Sequence, residues 1–244
     1  MSDSAKEHHE KDEVESFSNI TLFVFSLLGS IFQLPFLFIP AGTWNWPEAW
    51  IYLAVFFVYM TFNVIYLNKK NPEILRNRIQ HKKEGVKGKA EGSDKWLMPL
   101  LSAIFVIEFI LPGFDERYGW SEMYIVLNVL GFVGLGLGLY FIFTTMLENA
   151  YASKVLDVRK DKGHKVIDTG PYAHVRHPMY SGFILMFISV PFCLDCWYAL
   201  IPGVAFFALI MVRINYEEEM LIKQLDGYEK YRKKVKYKII PKIL

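Results

Sequence analysis

Six long apolar runs set the terms for any fold this chain can adopt. They occupy residues 17–40, 46–67, 97–112, 123–147, 179–194 and 197–212. A helix of about 18 or more residues with almost no charge can cross a ~30 Å hydrocarbon layer. The runs also account for a composition that is 53% hydrophobic, above the roughly 45–50% of soluble domains. Trp44, Trp46, Trp50 and Trp197 stand at their edges, where interfacial aromatics belong. The shorter third and fifth runs need such residues at their ends. The expectation is an all-α, polytopic integral membrane protein with about six transmembrane helices.

Net charge is +2 and says little, but its placement says more. Residues 68–95 carry nine Lys/Arg, residues 150–178 carry six, and residues 213–244 carry nine. The alternate connections carry only Arg117. Basic loops remain on the cytoplasmic side, so six spans with both termini cytoplasmic satisfy every loop. The chain reads as one domain over 1–244: a polar tail at 1–16, N-terminal spans at 17–119 and a functional core at 120–244. The acidic start does not resemble a signal peptide. Within the basic loop, 72–80 has the spacing of a surface helix on anionic lipid, and the Gly-rich, charged stretch 82–95 is expected to be mobile. His81 reads as solvated.

Several features invite functional readings that their surroundings do not support. The CLDC of 193–196 lacks the βαβ setting of a redox pair and the further ligands of a zinc site, and no metal site is expected. GFVGLGLG at 131–138 lies inside a span, so Gly131, Gly134 and Gly138 suit close helix packing better than a nucleotide loop. Glu108 lies within the third run, where an acid costs roughly 2.5–3.5 kcal/mol on insertion scales. It is a functional candidate by default, weighed against a structural role beside Pro112. Nothing in the chain points to nucleic acid.

The chemistry gathers at the mouths of the last two runs. TGPYAHVRHPMYSG (169–182) crowds His174, Arg176, His177, Tyr172 and Tyr180 against an oily segment. Gly170–Pro171 demands a turn. Pro178 suits a first helical turn, where its missing N–H would be unpaired anyway. The resulting helix start is expected to favour a carboxylate or phosphate. In RINYEEE, Arg213 and Glu217 are four apart and share a helix face. A tight hairpin through Asp195 would then bring Arg176, His177, Tyr180, Arg213 and Glu217 to one pocket where water meets lipid. Most of KYRKKVKYKIIPK reads as lysines for lipid head groups.

GPYAHVRHPMYSG, followed by RINYEEEMLIKQLDGYEKY and a closing IIP, resembles the isoprenylcysteine carboxyl methyltransferase family, over roughly residues 120–244. Membrane phospholipid N-methyltransferases have a similar core. The resemblance implies an S-adenosyl-L-methionine cofactor held on the cytoplasmic side without a Rossmann domain. It implies cofactor contacts from His164, Lys165, Val166, Ile167, Tyr172, His177, Pro178, Met179, Tyr180 and Glu217. Arg213 would meet the acceptor, and Arg213 with Glu217 would form the catalytic pair. Asp157 stands where some members place a cofactor-contacting glutamine, Asp168 replaces a small polar residue, and DGY at 226–228 departs from the eukaryotic pattern.

The implied acceptor is lipophilic, a prenylcysteine-like carboxylate first, reaching the site from surrounding membrane lipid at a plasma, inner or endoplasmic reticulum membrane. Amine acceptors would need a base, for which Glu217 or Glu218 is nearest. Phospholipid amine methylation is one alternative. A nicotinamide-dependent sterol reductase is a second, although EEEMLIKQLDGY lacks the motif usual there. A non-catalytic lipid-binding scaffold is a third.

Overall fold

The structure, a computed structural model, describes residues 17–70, 72, 93–149 and 166–243. The N-terminal tail, His81, Asp157 and all but Pro72 of the expected surface helix fall outside them. Every apolar run is helical: α1 (Asn19–Ile31), α2 (Leu34–Ala41), α3 (Pro47–Lys70), α4 (Asp94–Tyr118), α5 (Ile125–Glu148), α6 (Pro178–Cys193) and α7 (Leu200–Gln224). A short α8 (Tyr228–Lys234) follows. Among the described residues five segments are long and apolar enough to cross a membrane: Asn19–Ala41, α3, α4, α5 and Trp197–Gln224. The fifth apolar run becomes α6, which has only 16 residues.

Prolines and glycines explain where the helices stop. The first run breaks at Phe32–Gln33 because Pro35, in the first turn of α2, offers no N–H to the preceding turn and its ring crowds it. Gly42 and Gly119 end α2 and α4 in the left-handed region, φ 66° and 64°, which costs glycine little. A stacked pair, Phe187 on Phe206 with centroids 3.7 Å apart, locks α6 to α7.

The closest pairing is α5 against α6. A Cβ added at Gly138 would come within 2.9 Å of the Gly182 carbonyl oxygen, and one at Gly131 within 2.8 Å of the Cys193 nitrogen. At Gly134 it would strike the Ser189 hydroxyl. All three glycines face α6. They act by letting two backbones touch.

That contact sets the depth of the site. Asn128 near the start of α5 donates to the Phe192 carbonyl near the end of α6, at 2.9 Å. The Trp197 N–H, just before α7, donates to Ser121 Oγ, just before α5, at 3.1 Å. The three helices are therefore level at the Asp195 end. At 1.5 Å per residue α6 rises about 24 Å, against about 36 and 38 Å for α5 and α7. The start of α6 is recessed relative to its taller neighbours, and the C-terminal segment pairs with the residues that lead into it. Cys193 and Cys196 are both buried and free at the opposite end.

Candidate active site

The segment leading into α6 is shaped by Gly170 (φ 53°) and Pro171, which form a 3-10 turn over Gly170–Ala173. Thr169 Oγ1 donates to Glu148 on the tall end of α5 at 2.9 Å. The C-terminal segment then runs alongside: the Arg176 N–H donates to the Tyr237 carbonyl at 2.9 Å and the His177 N–H to Lys238 at 2.8 Å. Ser181 Oγ donates to the Ile239 carbonyl at 2.7 Å. The helix start is thus less open than the sequence suggests, because the chain itself takes the His177 N–H.

Side chains along the recess form one continuous relay. Arg176 Nε donates to Glu218 Oε1 at 2.6 Å, and its Nη1 donates to the carbonyls of Val235 (2.8 Å) and Lys236 (2.6 Å). His177 Nε2 lies 3.3 Å from the same Glu218 oxygen, and Nδ1 lies 3.9 Å from Glu217 Oε1. Tyr180 Oη donates to Glu217 Oε2 at 2.7 Å and accepts from Arg213 Nε at 3.0 Å. Arg213 Nη1 stands 3.1 Å from Asp94 Oδ1 and 2.8 Å from Met98 Sδ. The His177 ring stacks beside Tyr180, centroids 5.8 Å apart.

Exposure divides the two adjacent glutamates. The Glu218 side chain is 6% exposed and Glu217 is 24% exposed. Glu218 joins Arg176, His177 and, at 3.9 Å, the half-exposed Arg232, so it ties α7 to the loop and tail. Glu217 keeps a reachable carboxylate edge pinned by Tyr180. Of the two residues that the sequence assigned to one pocket, Glu217 stands against Tyr180 and near His177, whereas Arg176 turns to Glu218 and the tail carbonyls. Arg176 is an internal strut.

Of the expected cofactor contacts, His177, Pro178, Met179, Tyr180 and Glu217 come together with Arg213 at the recess. Val166 is half-buried against Leu225, Tyr228, Tyr231 and Val235, and Ile167 is half-buried beside it in the chain. Tyr172 Oη accepts from Asn149 at 2.7 Å, and its carbonyl accepts from Tyr231 Oη at 2.8 Å. His164 and Lys165 lie outside the described residues.

Two of the expected head-group lysines have partners within the chain: Lys234 Nζ pairs with Asp168 at 2.7 Å and Lys238 Nζ donates to Asn215 at 2.7 Å. The Lys234 hydrogen bond and charge hold the Asp168 carboxyl below its ordinary range. Glu108 is fully buried and its oxygens have no hydrogen-bond partner among the described residues. It lies ten residues along α4 from Met98, about 15 Å of helix rise, so it is no part of this cluster.

Sequence reasoning missed Asp94 and Met98, and it gave Glu218 no buried role. The stretch 82–95, which includes Asp94, is expected from sequence to be mobile, yet Asp94 is 1% exposed and faces Arg213. Its one sequence signal is an acid at the first turn of an apolar helix. The role of residues 235–239 had no signal, since backbone carbonyls carry it.

Five apolar segments of crossing length among the described residues, with a polar relay among their ends, define a helical integral membrane protein. Residues 129–223 match the profile of the Isoprenylcysteine carboxyl methyltransferase (ICMT) family. A protein-S-isoprenylcysteine O-methyltransferase of Schizosaccharomyces pombe is 32% identical over 111 residues, 44% of this chain and 46% of that protein. Protein-S-isoprenylcysteine O-methyltransferase B of Arabidopsis thaliana is 27% identical over 146 residues, 56% of this chain and 70% of that one. The chain thus spans about half the length of the first of these relatives. The solved structure of the eukaryotic intramembrane Ras methyltransferase ICMT shares the fold, with a TM-score of 0.50 at 18% identity, covering 92% of this chain and 85% of that one. The likeness to the isoprenylcysteine carboxyl methyltransferase family is carried by residues 129–223.

Proposed function

We propose that this protein transfers a methyl group from S-adenosyl-L-methionine to the carboxylate of a lipophilic, prenylcysteine-like acceptor. The observation that carries the reading is the half-accessible Glu217 carboxylate, held by Tyr180, which also bonds Arg213. Acid and guanidinium thus share one tyrosine hydroxyl between α6 and α7. When bound, S-adenosyl-L-methionine supplies an electrophilic methyl group on a sulfonium cation.

The residues present suit that donor and acceptor. Glu217 offers its free edge to the cationic end of the donor, while His177 and the Tyr172 loop line the polar approach. Arg213 orients the acceptor carboxylate, which is ionised at neutral pH and needs no base. A fixed guanidinium can hold it through two parallel bonds, and fixing the reacting atoms is where most of the catalysis lies. The apolar walls exclude water, which favours a step that brings opposite charges together and cancels them. The Lys/Arg excess of alternate connections supports a cytoplasmic position for this recess, with six helices spanning and both termini inside. α6, with the polar turn before it, makes the fifth of the six crossings.

Calorimetric titration of the detergent-solubilised protein with S-adenosylhomocysteine tests the donor site. Binding is expected, and a charge-assisted contact of about 1.5–3 kcal/mol means Glu217→Ala should weaken it by about tenfold or more. His177→Ala should weaken it too. A folded wild type that does not bind would refute the reading. So would a Glu217→Ala variant with unchanged affinity.

A further inference from the structure

Arg213 is held from outside the segment that matches the family. The matched residues begin at 129, whereas Asp94 and Met98 belong to α4. They are four apart, so they share one helix face, and both reach Arg213 Nη1. The Asp94 side chain is 0% exposed and that of Arg213 is 6% exposed. At the first turn of α4 the acid also has the favourable end of the helix dipole. Leu97, 0% exposed, seats the same turn in the bundle.

The consequence is geometric and electrostatic. With Nε on Tyr180 and Nη1 on Asp94, the guanidinium plane is fixed at two points, by α6 and by α4. Tyr180 hands the same constraint to Glu217. Asp94 is itself a carboxylate on Arg213, so it offsets the charge that an acceptor carboxylate would meet. We propose that Asp94 is a positioning residue for methyl transfer: it aims Arg213 and weakens ground-state capture of the acceptor carboxylate. This rests on the function proposed above. Interactions that hold the acceptor equally in ground and transition states lower KM without raising kcat. An internal rival for Arg213 therefore favours turnover over tight binding.

Asp94→Asn keeps the shape and removes the charge. The test is steady-state methyl transfer to a prenylcysteine carboxylate, with kcat normalised to sites titrated by S-adenosylhomocysteine, so that misfolded protein is not counted. The expected result is kcat lower by about tenfold, acceptor KM lower by about threefold or more, and S-adenosylhomocysteine affinity within about twofold of wild type. Asp94→Glu, which retains the charge, should keep KM near the wild-type value. A kcat per titrated site within about twofold of wild type would overturn the assignment. An acceptor KM that is unchanged or raised would overturn it as well, as would a loss of S-adenosylhomocysteine affinity beyond twofold. A wild type that transfers no methyl group would instead overturn the function on which it rests.

Discussion

Glu218→Ala is expected to be the most destabilising single substitution in the site, by about 3 kcal/mol or more, because removing one partner of a buried ion pair strands the other. Glu218 Oε1 receives both Arg176 Nε and His177 Nε2, and Arg176 Nη1 in turn gathers the carbonyls of Val235 and Lys236. Loss of the carboxylate strands the Arg176 guanidinium and leaves the tail segment held to the start of α6 by the Arg176 and His177 N–H groups and Ser181. Glu218→Gln keeps one acceptor and should lose less, about 1–2 kcal/mol. Denaturant unfolding in detergent measures both. A Glu218→Ala variant as stable as wild type would show that the Arg176–Glu218 contact does not organise this end of the protein.

Arg213→Lys has the largest expected effect on turnover. An ammonium is a point charge, without the planar fork that can hold a carboxylate at two points. Lysine cannot serve Tyr180, Asp94 and an acceptor from one fixed plane. The expected loss in kcat is about a hundredfold, close to 2.7 kcal/mol of barrier, with S-adenosylhomocysteine affinity little changed. Rate assays beside calorimetry give both quantities. Equal losses in turnover and cofactor affinity would contradict an acceptor-side role for Arg213.

The two variants separate what a linear reading can and cannot see. Arg213 and Glu217 are four apart on one helix, so period alone puts them on a common face. Gly170–Pro171 and Pro178 dictate the turn and helix start by local sterics, and both were legible. The long apolar runs announced the helices for the same reason: each satisfies its backbone internally.

What escaped depended on depth and distant pairing. Nothing in EEE says which glutamate is buried, because that is decided by where α6 stops short of α5 and α7. Asp94 sits in a charged, Gly-rich context that reads as loop, and only the packing of α4 on α7 turns it inward. Arg176 reads as a ligand until the carbonyls of Val235 and Lys236, nearly sixty residues away, are seen to occupy it. The break at Phe32–Gln33 was in principle visible from Pro35, yet the continuous apolar character of the run concealed it.

The most direct test is methyl transfer itself. The purified protein would be given methyl-labelled S-adenosyl-L-methionine and a farnesylated cysteine with a free carboxylate, and the labelled product treated with alkali. The account predicts label on the prenylcysteine that alkali releases as methanol, the behaviour of a methyl ester, and none on the corresponding carboxamide. Absence of transfer to the carboxylate, or alkali-stable label on a phospholipid amine, would contradict it.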